Sequence, residues 1–458
     1  MTHASSPGFR AGGNRPFGFR RAPSQNAARI LATAAPVAAM ALVNMCMSVT
    51  DTLMAGALGA EALAAAGVGS DLYSIAFYLA IGVVGGLAPL YAAAHADANR
   101  SRLNRLRASG WGVAALVGLP MACVVWTAPA WLGPLGIEAS LLDHGQGYTR
   151  AMGLTMLPML AAGVLRTRLV ALEQAGALFR VTLAAVPLNA VLNALLMFGV
   201  AGWPGLGLTG AGISSFLVAS FTFVVFARLA VRCGDAGAAE PPDRLAMAEI
   251  LRLGLPIGVA TLSEVGVFLG ATLFVATLSV ADAAAHVLAI RVSGVTFAVS
   301  IGLLQAATIR MARAEPDRGH QRAIAQTALG LSAAAGLALA CGIALAAWPL
   351  SHTLAQGGAG TEAAGIAAIL LLLVAGAELL GPAGAAATGI LRGVRMTRAP
   401  MAFSLLGNWA VAAPMGVFLA TSAELGAVGV WIGLAVGSAT ASCLTVIHLV
   451  RVLRAHQP

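Results

Sequence analysis

The chain has 458 residues, of which 59% are hydrophobic and 10% are charged, and its formal net charge at pH 7 is +9. Soluble domains carry roughly 25% charged residues, so this composition excludes an ordinary soluble protein and indicates an integral membrane protein. All 27 basic residues are arginine. They cluster at predicted helix ends without interleaved aromatic residues, which argues against a nucleic-acid partner.

Apolar segments recur along the whole chain, separated by short polar or Gly/Pro-containing breaks. Each segment reaches the roughly 20 residues that a transmembrane helix needs, which favours helices over the alternating strands of a barrel. We therefore predict an all-α polytopic membrane protein with twelve transmembrane helices. The predicted spans are 29–55, 63–93, 107–132, 146–170, 177–200, 209–232, 251–279, 284–311, 324–350, 363–391, 399–421 and 426–452.

The arginines are distributed unevenly between the two sides of the predicted bundle. All but Arg150 and Arg291 lie in the two tails, in the even-numbered connections between helices or in the helix turns next to them. By the positive-inside rule, this places both termini in the cytoplasm. Residues 1–28 are polar, basic and rich in Gly, Pro and Ser, so we predict a disordered cytoplasmic tail, with a second short tail at 453–458. The high Ala, Gly and Arg content without Lys indicates a bacterial inner-membrane protein.

An internal repeat divides the chain. Residue n aligns with residue n+220 from Leu31 and Leu251 onward, so that Pro36 meets Pro256. We predict two pseudo-symmetric six-helix lobes, an N-lobe at 29–232 and a C-lobe at 251–452, joined by a polar cytoplasmic linker at 233–250. In transporters built from such repeats, the substrate path lies between the halves.

Several polar residues lie inside the apolar spans, where burying a polar side chain in the bilayer costs free energy. An ionised Asp at the bilayer centre costs roughly 2.5 to 3.5 kcal/mol, so each intramembrane acid is a candidate functional residue. Asn189 and Asn193 are four residues apart and share one helix face. The intramembrane acids are Asp51, Asp71, Glu264 and Glu378.

Six segments, in their order and spacing, resemble the multidrug and toxic compound extrusion (MATE) family, in particular its NorM-like branch. The resemblance covers nearly the whole chain after residue 28. The segments are VTDTLMAGALG, PLNAVLNALLMFG, RLGLPIGVATLSEVGVF, AAAHVLAI, ILRGVRMTRAP and GAVGVWIGLAVG.

The resemblance implies two V-shaped lobes and cation-coupled antiport that exports large, often cationic organic compounds. It further implies that Asp51 is the N-lobe carboxylate and that Asn189 and Asn193 accompany it, a group able to hold a proton or Na⁺. Glu264 matches the C-lobe carboxylate. We expect that a change in the charge of Asp51 bends or straightens the first helix at a Pro36 hinge.

Two departures from the family pattern concern the C-lobe. Gly381 stands where relatives have an Asp, and Glu378, on nearly the same helix face, either replaces that Asp or neutralises Arg291. Arg291 stands where relatives have Asn, and we expect it to pair with Glu264 and occupy a metal site with its own charge. Proton coupling is therefore favoured over Na⁺. Asp71 has no counterpart in the family pattern and either faces the cavity or partners polar groups near the first helix.

Other functions are weighed against export of cationic drugs. The main alternative is an exporter of a specific metabolite, a lipid-linked intermediate or an organic anion, which Arg291 in the cavity would favour. The sequence carries no H-E-x-x-H motif, no phosphate-binding loop and no metal cluster, so we predict no enzymatic activity, no metal site and no cofactor beyond the coupling ion. The expected partners are small organic substrates and the bilayer, and the expected state is a monomer.

Overall fold

A computed structural model of the chain describes residues 23–135, 139–200, 202–233, 241–314, 318–354 and 360–455. Within these ranges the fold is helical, and twelve helices are long and apolar enough to cross a membrane, which confirms the predicted fold class. The helices are α1 (Gln25–Ala57), α2 (Glu61–Ala96), α3 (Arg100–Trp126), α4 (Ala139–Ala171), α5 (Ala175–Phe198), α6 (Leu208–Arg232), α7 (Arg244–Val275), α8 (Val280–Arg313), α9 (Gly319–Thr353), α10 (Gly360–Gly393), α11 (Arg398–Thr421) and α12 (Gly426–Ala455).

Most helices begin a few residues earlier than the apolar pattern predicts, and two of them begin inside segments predicted as the tail and the linker. The helical conformation leading into α1 starts at Pro23, inside the predicted tail, and proline suits the first position of a helix because its missing N–H needs no partner there. Helix α7 starts at Arg244, inside the predicted linker, where Asp243 Oδ1 accepts a hydrogen bond from the Leu245 N–H. Residues 1–22 of the predicted tail and 234–240 of the predicted linker lie outside the described residues.

Three of the spans are irregular. Helix α2 is interrupted at Gly85 and Gly86, and α10 is interrupted after Glu378, where the Leu379 and Leu380 N–H groups bond three residues back instead of four. Helix α11 contains a π-helical stretch, Leu406–Ala412. Interruptions of this kind are frequent at functional sites, and the one in α10 places a carboxylate at the break.

The two predicted lobes meet through helix pairs that the repeat relates to each other. Helix α1 packs against α8, and α2 packs against α7. A Cβ atom on Gly82 of α2 would lie 2.5 Å from the Cα of Gly258 in α7, and one on Gly302 of α8 would lie 3.1 Å from the Cβ of Ala38 in α1. Because 82 and 302, like 38 and 258, are repeat equivalents, the interface has pseudo-twofold symmetry.

Polar contacts between the lobes lie at the end of the bundle that carries the first and last described residues, here called the terminal side. Glu173, between α4 and α5, forms ion pairs with Arg310 and Arg313 at the end of α8. Arg102 of α3 pairs with Glu249 of α7 at 3.2 Å. The lobes are therefore tied together at the terminal side.

At the opposite side of the bundle, polar contacts form within each lobe. His144 pairs with Glu61 in the N-lobe at 3.1 Å. In the C-lobe, Asp282 Oδ1 accepts a 2.8 Å hydrogen bond from the Ala427 N–H at the start of α12. These contacts fix helix ends inside each lobe, and within the described residues no ion pair joins the two lobes at this side.

Candidate functional site

The predicted N-lobe residues come together in one hydrogen-bonded group. Asn189 Nδ2 and Asn193 Nδ2, one turn apart on α5, donate to the same oxygen of Asp51, Oδ1, at 2.7 and 2.6 Å. The side chains of both Asn residues are buried. The shared helix face predicted from their spacing therefore points at α1 and holds its carboxylate.

The Asp51 carboxylate lies within a helix and not at a helix end, since α1 continues to Ala57. Two amide donors stabilise its ionised form, as charge-assisted hydrogen bonds do. Among the described residues, none donates to Asp51 Oδ2, and the buried Asn193 Oδ1 also lacks a donor. The group thus keeps acceptor oxygens that a proton or a small cation can satisfy.

Two further residues surround this group. Tyr148 of α4 is buried and lies close enough to Asp51 and to Asp71 to interact electrostatically with both. The Ser214 hydroxyl of α6 lies 3.5 Å from the Asn189 carbonyl oxygen. The N-lobe site therefore draws on α1, α4, α5 and α6, and the sequence pattern had pointed to α1 and α5 alone.

Pro36, the predicted hinge, lies inside α1, which is continuous through it. A proline within a helix has no N–H for the carbonyl four residues earlier, here that of Ala32, so the helix is weakened at this point. The continuous helix is one conformation of α1, and the hinge stays a prediction.

The expected ion pair between Glu264 and Arg291 is absent. Both residues are described, and no ion pair joins them; Arg291 is exposed, whereas Glu264 is partly buried. The positive charge that acts on Glu264 belongs to Arg392, at the end of α10. The prediction failed because sequence position fixes depth in the membrane but not the direction in which each helix face points.

Glu378 forms its contact with a hydroxyl and not with a cation. Thr296 Oγ1 of α8 donates to Glu378 Oε1 at 2.5 Å, and the buried Oε2 has no donor among the described residues. No ion pair joins Glu378 to Arg291, so the interpretation that Glu378 neutralises Arg291 is wrong. A Cβ atom on Gly381 would lie 3.6 Å from Glu378 Oε2. The Glu378 carboxylate thus reaches the space beside the position where the expected Asp is missing.

Sequence reasoning missed Asn408 in the π-helical part of α11. Its Nδ2 group donates to Ser263 Oγ and Ser404 Oγ, each at 3.2 Å, and Ser263 directly precedes Glu264. Asn408 aligns with Asn189 at an offset of 219 residues, so the internal repeat held the signal that could have identified it. Asn193 has Ala412 as its equivalent, so the C-lobe retains only one of the two amides.

His286 forms a second polar group of the C-lobe that the sequence did not predict. The Trp431 indole N–H donates to His286 Nδ1 at 3.0 Å, and Nε2 lies 3.0 Å from Thr272 Oγ1. Because the indole nitrogen can only donate, Nδ1 carries no proton, and the hydrogen resides on Nε2. Both hydrogen bonds hold the buried imidazole in its neutral form, which suits a packing role.

Asp71 and Arg291, the two secondary candidates, are exposed charged residues on α2 and α8. Neither forms an ion pair within the described part of the chain. In those same ranges, no group of three His, Cys, Asp or Glu side chains is placed to hold a metal ion.

Comparisons with known proteins agree with this architecture. The family model MatE matches residues 36–195 and 256–418. The probable multidrug resistance protein NorM of Mesorhizobium japonicum is 30% identical, over 92% of this chain and 93% of the relative. That of Bradyrhizobium diazoefficiens is 31% identical, over 89% and 90%.

Solved structures share the fold at lower sequence identity. A multidrug resistance MATE family transporter described in an outward-facing conformation superposes with a TM-score of 0.84 at 18% identity, covering 94% of this chain and 97% of the other. The eukaryotic MATE transporter AtDTX14 gives a TM-score of 0.83 at 17% identity, covering 93% and 96%.

Proposed function

Because the chain belongs to the MatE family, whose members are secondary transporters and not enzymes, we propose that it exports organic compounds in exchange for protons. The proposed substrates are large organic molecules, mainly cationic ones. They enter the cleft between the lobes from one side of the membrane and leave it on the other. This proposal makes the chain a multidrug efflux antiporter with H⁺ as the coupling ion.

The observation that best supports proton coupling is the pair of hydrogen bonds that Asp51 accepts from Asn189 and Asn193. Both amides present N–H groups, not oxygens, to its carboxylate. Na⁺ needs several oxygen ligands, and within the described residues this group leaves Asp51 Oδ2 and Asn193 Oδ1 without donors. A carboxylate that gains and loses a proton needs donors that stabilise its ionised form, and both amides supply them. The arrangement supports H⁺ as the coupling ion in the N-lobe.

The proposed cycle uses the two protonation states of Asp51. When ionised, Asp51 holds α1 against α5 through the two amides; a proton from outside removes the charge and weakens both bonds. Helix α1 then bends at Pro36, and the substrate leaves. One charge crossing about 150 mV supplies roughly 3.5 kcal/mol, enough to drive export of a neutral solute against a several-hundredfold gradient.

In the C-lobe, we propose that Glu378 takes the place of the missing Asp at position 381, together with Glu264. The support is the position of Oε2, buried without a donor and 3.6 Å from the Cβ that residue 381 would have. A proton on Glu378 would turn this oxygen into a donor. This proposal gives the C-lobe titratable carboxylates of its own, besides Asp51 of the N-lobe.

The proposed orientation follows from the arginines. The ion-paired Arg102, Arg310, Arg313 and Arg395 all belong to the terminal side. We propose that this side faces the cytoplasm of a bacterial cell, with the protein in the inner membrane as a monomer. The conformation described here, tied at the terminal side, is then closed toward the cytoplasm.

The experiment that tests the proposal is dye transport in vesicles reconstituted with the full chain. A pH gradient and a Na⁺ gradient are imposed separately, and efflux of a fluorescent cationic dye is followed. We expect the pH gradient alone to drive transport, and we expect Asp51→Asn to abolish it at equal protein content. Undiminished transport by Asp51→Asn, or transport driven by Na⁺ alone, would contradict proton coupling through Asp51.

A second candidate function is export of an organic anion or a specific metabolite. The observation that favours it is the exposed guanidinium of Arg291 on α8, which no ion pair within the described residues neutralises. The same vesicles distinguish the two functions when an anionic dye replaces the cationic one. Faster transport of the anionic dye, with loss of this preference in Arg291→Asn, would favour the anion exporter.

A further inference from the structure

Asp71 and Arg291 are equivalent positions of the internal repeat. Residue 71 of α2 aligns with residue 291 of α8 at the same offset of 220 that relates Gly82 to Gly302. Their charges are opposite, although the positions are related by pseudo-symmetry. Points related by a twofold axis lie on opposite sides of that axis, so these two residues lie on opposite sides of the axis that relates the lobes.

Both side chains project from the helix faces that meet the other lobe. Asp71 precedes Gly82, and Arg291 precedes Gly302, by eleven residues, which is about three turns and places each pair within roughly 20° on its helix. Gly82 and Gly302 are both points of close approach between the lobes. Asp71 and Arg291 therefore face the opposite lobe, roughly 16 Å along the helix from that contact and away from the terminal side.

Asp71 and Arg291 are exposed, whereas Gly82 and Gly302 on the same helix faces are buried. A face that contacts the other lobe at Gly82 and Gly302 is covered there and open at Asp71 and Arg291. This pattern of exposure is that of a cleft between the lobes that opens toward the side opposite the termini. Closing that cleft by rotation about the glycine contacts would carry 71 and 291 toward each other.

We propose that Asp71 and Arg291 form an ion pair when this cleft closes, and that the pair stabilises the state open to the terminal side. The inference rests on the proposed alternating-access transport. It assigns the two charges, absent from the family pattern, a positioning role in the transport cycle. In the closed cleft the pair loses water, so its attraction strengthens, whereas either charge alone would be left unpaired at a large cost.

The terminal side holds the counterpart of this pair. Glu173 with Arg310 and Arg313, together with Arg102 and Glu249, ties the lobes in the described state. Switching the lobes separates these ion pairs. Formation of the Asp71–Arg291 pair at the other side would offset part of that loss and keep the two states close in free energy, as a two-state transporter requires.

The test compares charge-reversed variants in reconstituted vesicles. Asp71→Arg places two like charges across the cleft, and Arg291→Asp does the same with the opposite sign. We expect each to slow pH-driven dye transport at least about fivefold, a typical size for coupling between distant elements, and the double variant Asp71→Arg/Arg291→Asp to recover to within about twofold of wild type.

A matched control separates pairing from total charge. Arg150 lies in α4 on the same side of the bundle, and its guanidinium carbon lies 5.9 Å from the centroid of the Trp126 ring of the same lobe. Asp71→Arg/Arg150→Asp restores the net charge without restoring the pair, so it should remain slow. Equal recovery in this control, or no recovery in the double reversal, would overturn the proposal.

Spin labels give a readout that does not depend on transport. Gly67→Cys and Val287→Cys, one turn outward of the pair on the same faces, are introduced into a chain whose five native cysteines are replaced. A Cβ atom on Gly67 meets nothing within 4 Å. The fraction of molecules with a short distance between the two spin labels should fall in either single charge-reversed variant and return in the double variant. Distances that are unchanged in the single variants would refute the ion pair, even if those variants fail to transport. Absence of pH-driven transport by the wild-type protein would instead count against the proposed function.

Discussion

Asn408 in α11 is the repeat equivalent of Asn189 in α5, but the two amides bond to different partners. Asn189 donates to the Asp51 carboxylate, and Asn408 donates to the hydroxyls of Ser263 and Ser404. The repeat equivalent of Asp51 is Ala271, so the C-lobe has no carboxylate at the equivalent position for Asn408 to bond. The two lobes share the same helix arrangement, but the equivalent Asn residues have different hydrogen-bond partners.

This difference predicts opposite phenotypes for one substitution. Asn189→Ala removes a hydrogen bond to a charged group, worth about 1.5 to 3 kcal/mol, and should lower pH-driven transport at least tenfold. Asn408→Ala should leave transport within about twofold of wild type and lower stability by about 1 kcal/mol. Vesicle transport and thermal unfolding in detergent measure the two effects. Equal transport losses would mean that Asn408 also serves coupling.

A second prediction concerns moving the carboxylate of α10 to its position in the family pattern. Glu378→Ala should slow transport several-fold, because the C-lobe loses a titratable group; the Thr296 hydroxyl keeps the Ser293 carbonyl oxygen as an acceptor. Adding Gly381→Asp should restore most of the rate, since its Cβ lies 3.6 Å from the original Oε2. The control is Glu378→Ala/Gly381→Ala, which adds bulk without charge. Recovery in this control would show that packing, not the carboxylate, limits transport.

A third prediction follows from the Glu173 ion pairs at the terminal side. Burial raises the pKa of the Glu173 carboxyl, but the charges of Arg310 and Arg313 outweigh this effect and hold its pKa below the ordinary value of 4.5. Because the pKa of Glu173 is lowered when its ion pairs are formed, their stabilising effect is fully present above pH 4.5. It is lost as the pH falls through the lowered pKa. Near neutral pH, these pairs should contribute no pH dependence.

Glu173→Gln removes the charge at every pH and should loosen the terminal side. Spin labels at Asp97→Cys in the N-lobe and Arg398→Cys in the C-lobe, both exposed, report the distance between lobes. We expect a longer mean distance in Glu173→Gln at pH 7, similar to that of the wild type in strong acid. Since Glu173 is half exposed, the change should shrink at high salt. If the substitution leaves the distance unchanged, the ion pair of Arg102 and Glu249 holds the lobes together at the terminal side.

A fourth prediction treats the His286 group as structural. Trp431→Phe keeps the ring but removes the N–H that bonds His286 Nδ1, leaving a buried acceptor without its donor. We expect a loss of about 1 to 3 kcal/mol in stability with pH-driven transport per folded protein unchanged. Thermal unfolding and vesicle transport check the two parts. A shift in the pH profile of transport would instead show that His286 takes part in proton movement.

The sequence by itself determined the twelve spans, the two lobes and the N-lobe group of Asp51, Asn189 and Asn193. Hydrophobic length, the positions of the arginines and one-turn spacing are local properties, and a bilayer forces them to be consistent along the chain. The tertiary structure decided which face each helix turns toward its neighbours. It separated Glu264 from Arg291, joined Glu378 to Thr296, and brought Asn408 beside Ser263. These contacts depend on helix rotation and on breaks such as the one in α10, which arise from packing between elements distant in sequence and leave no periodic trace within either one.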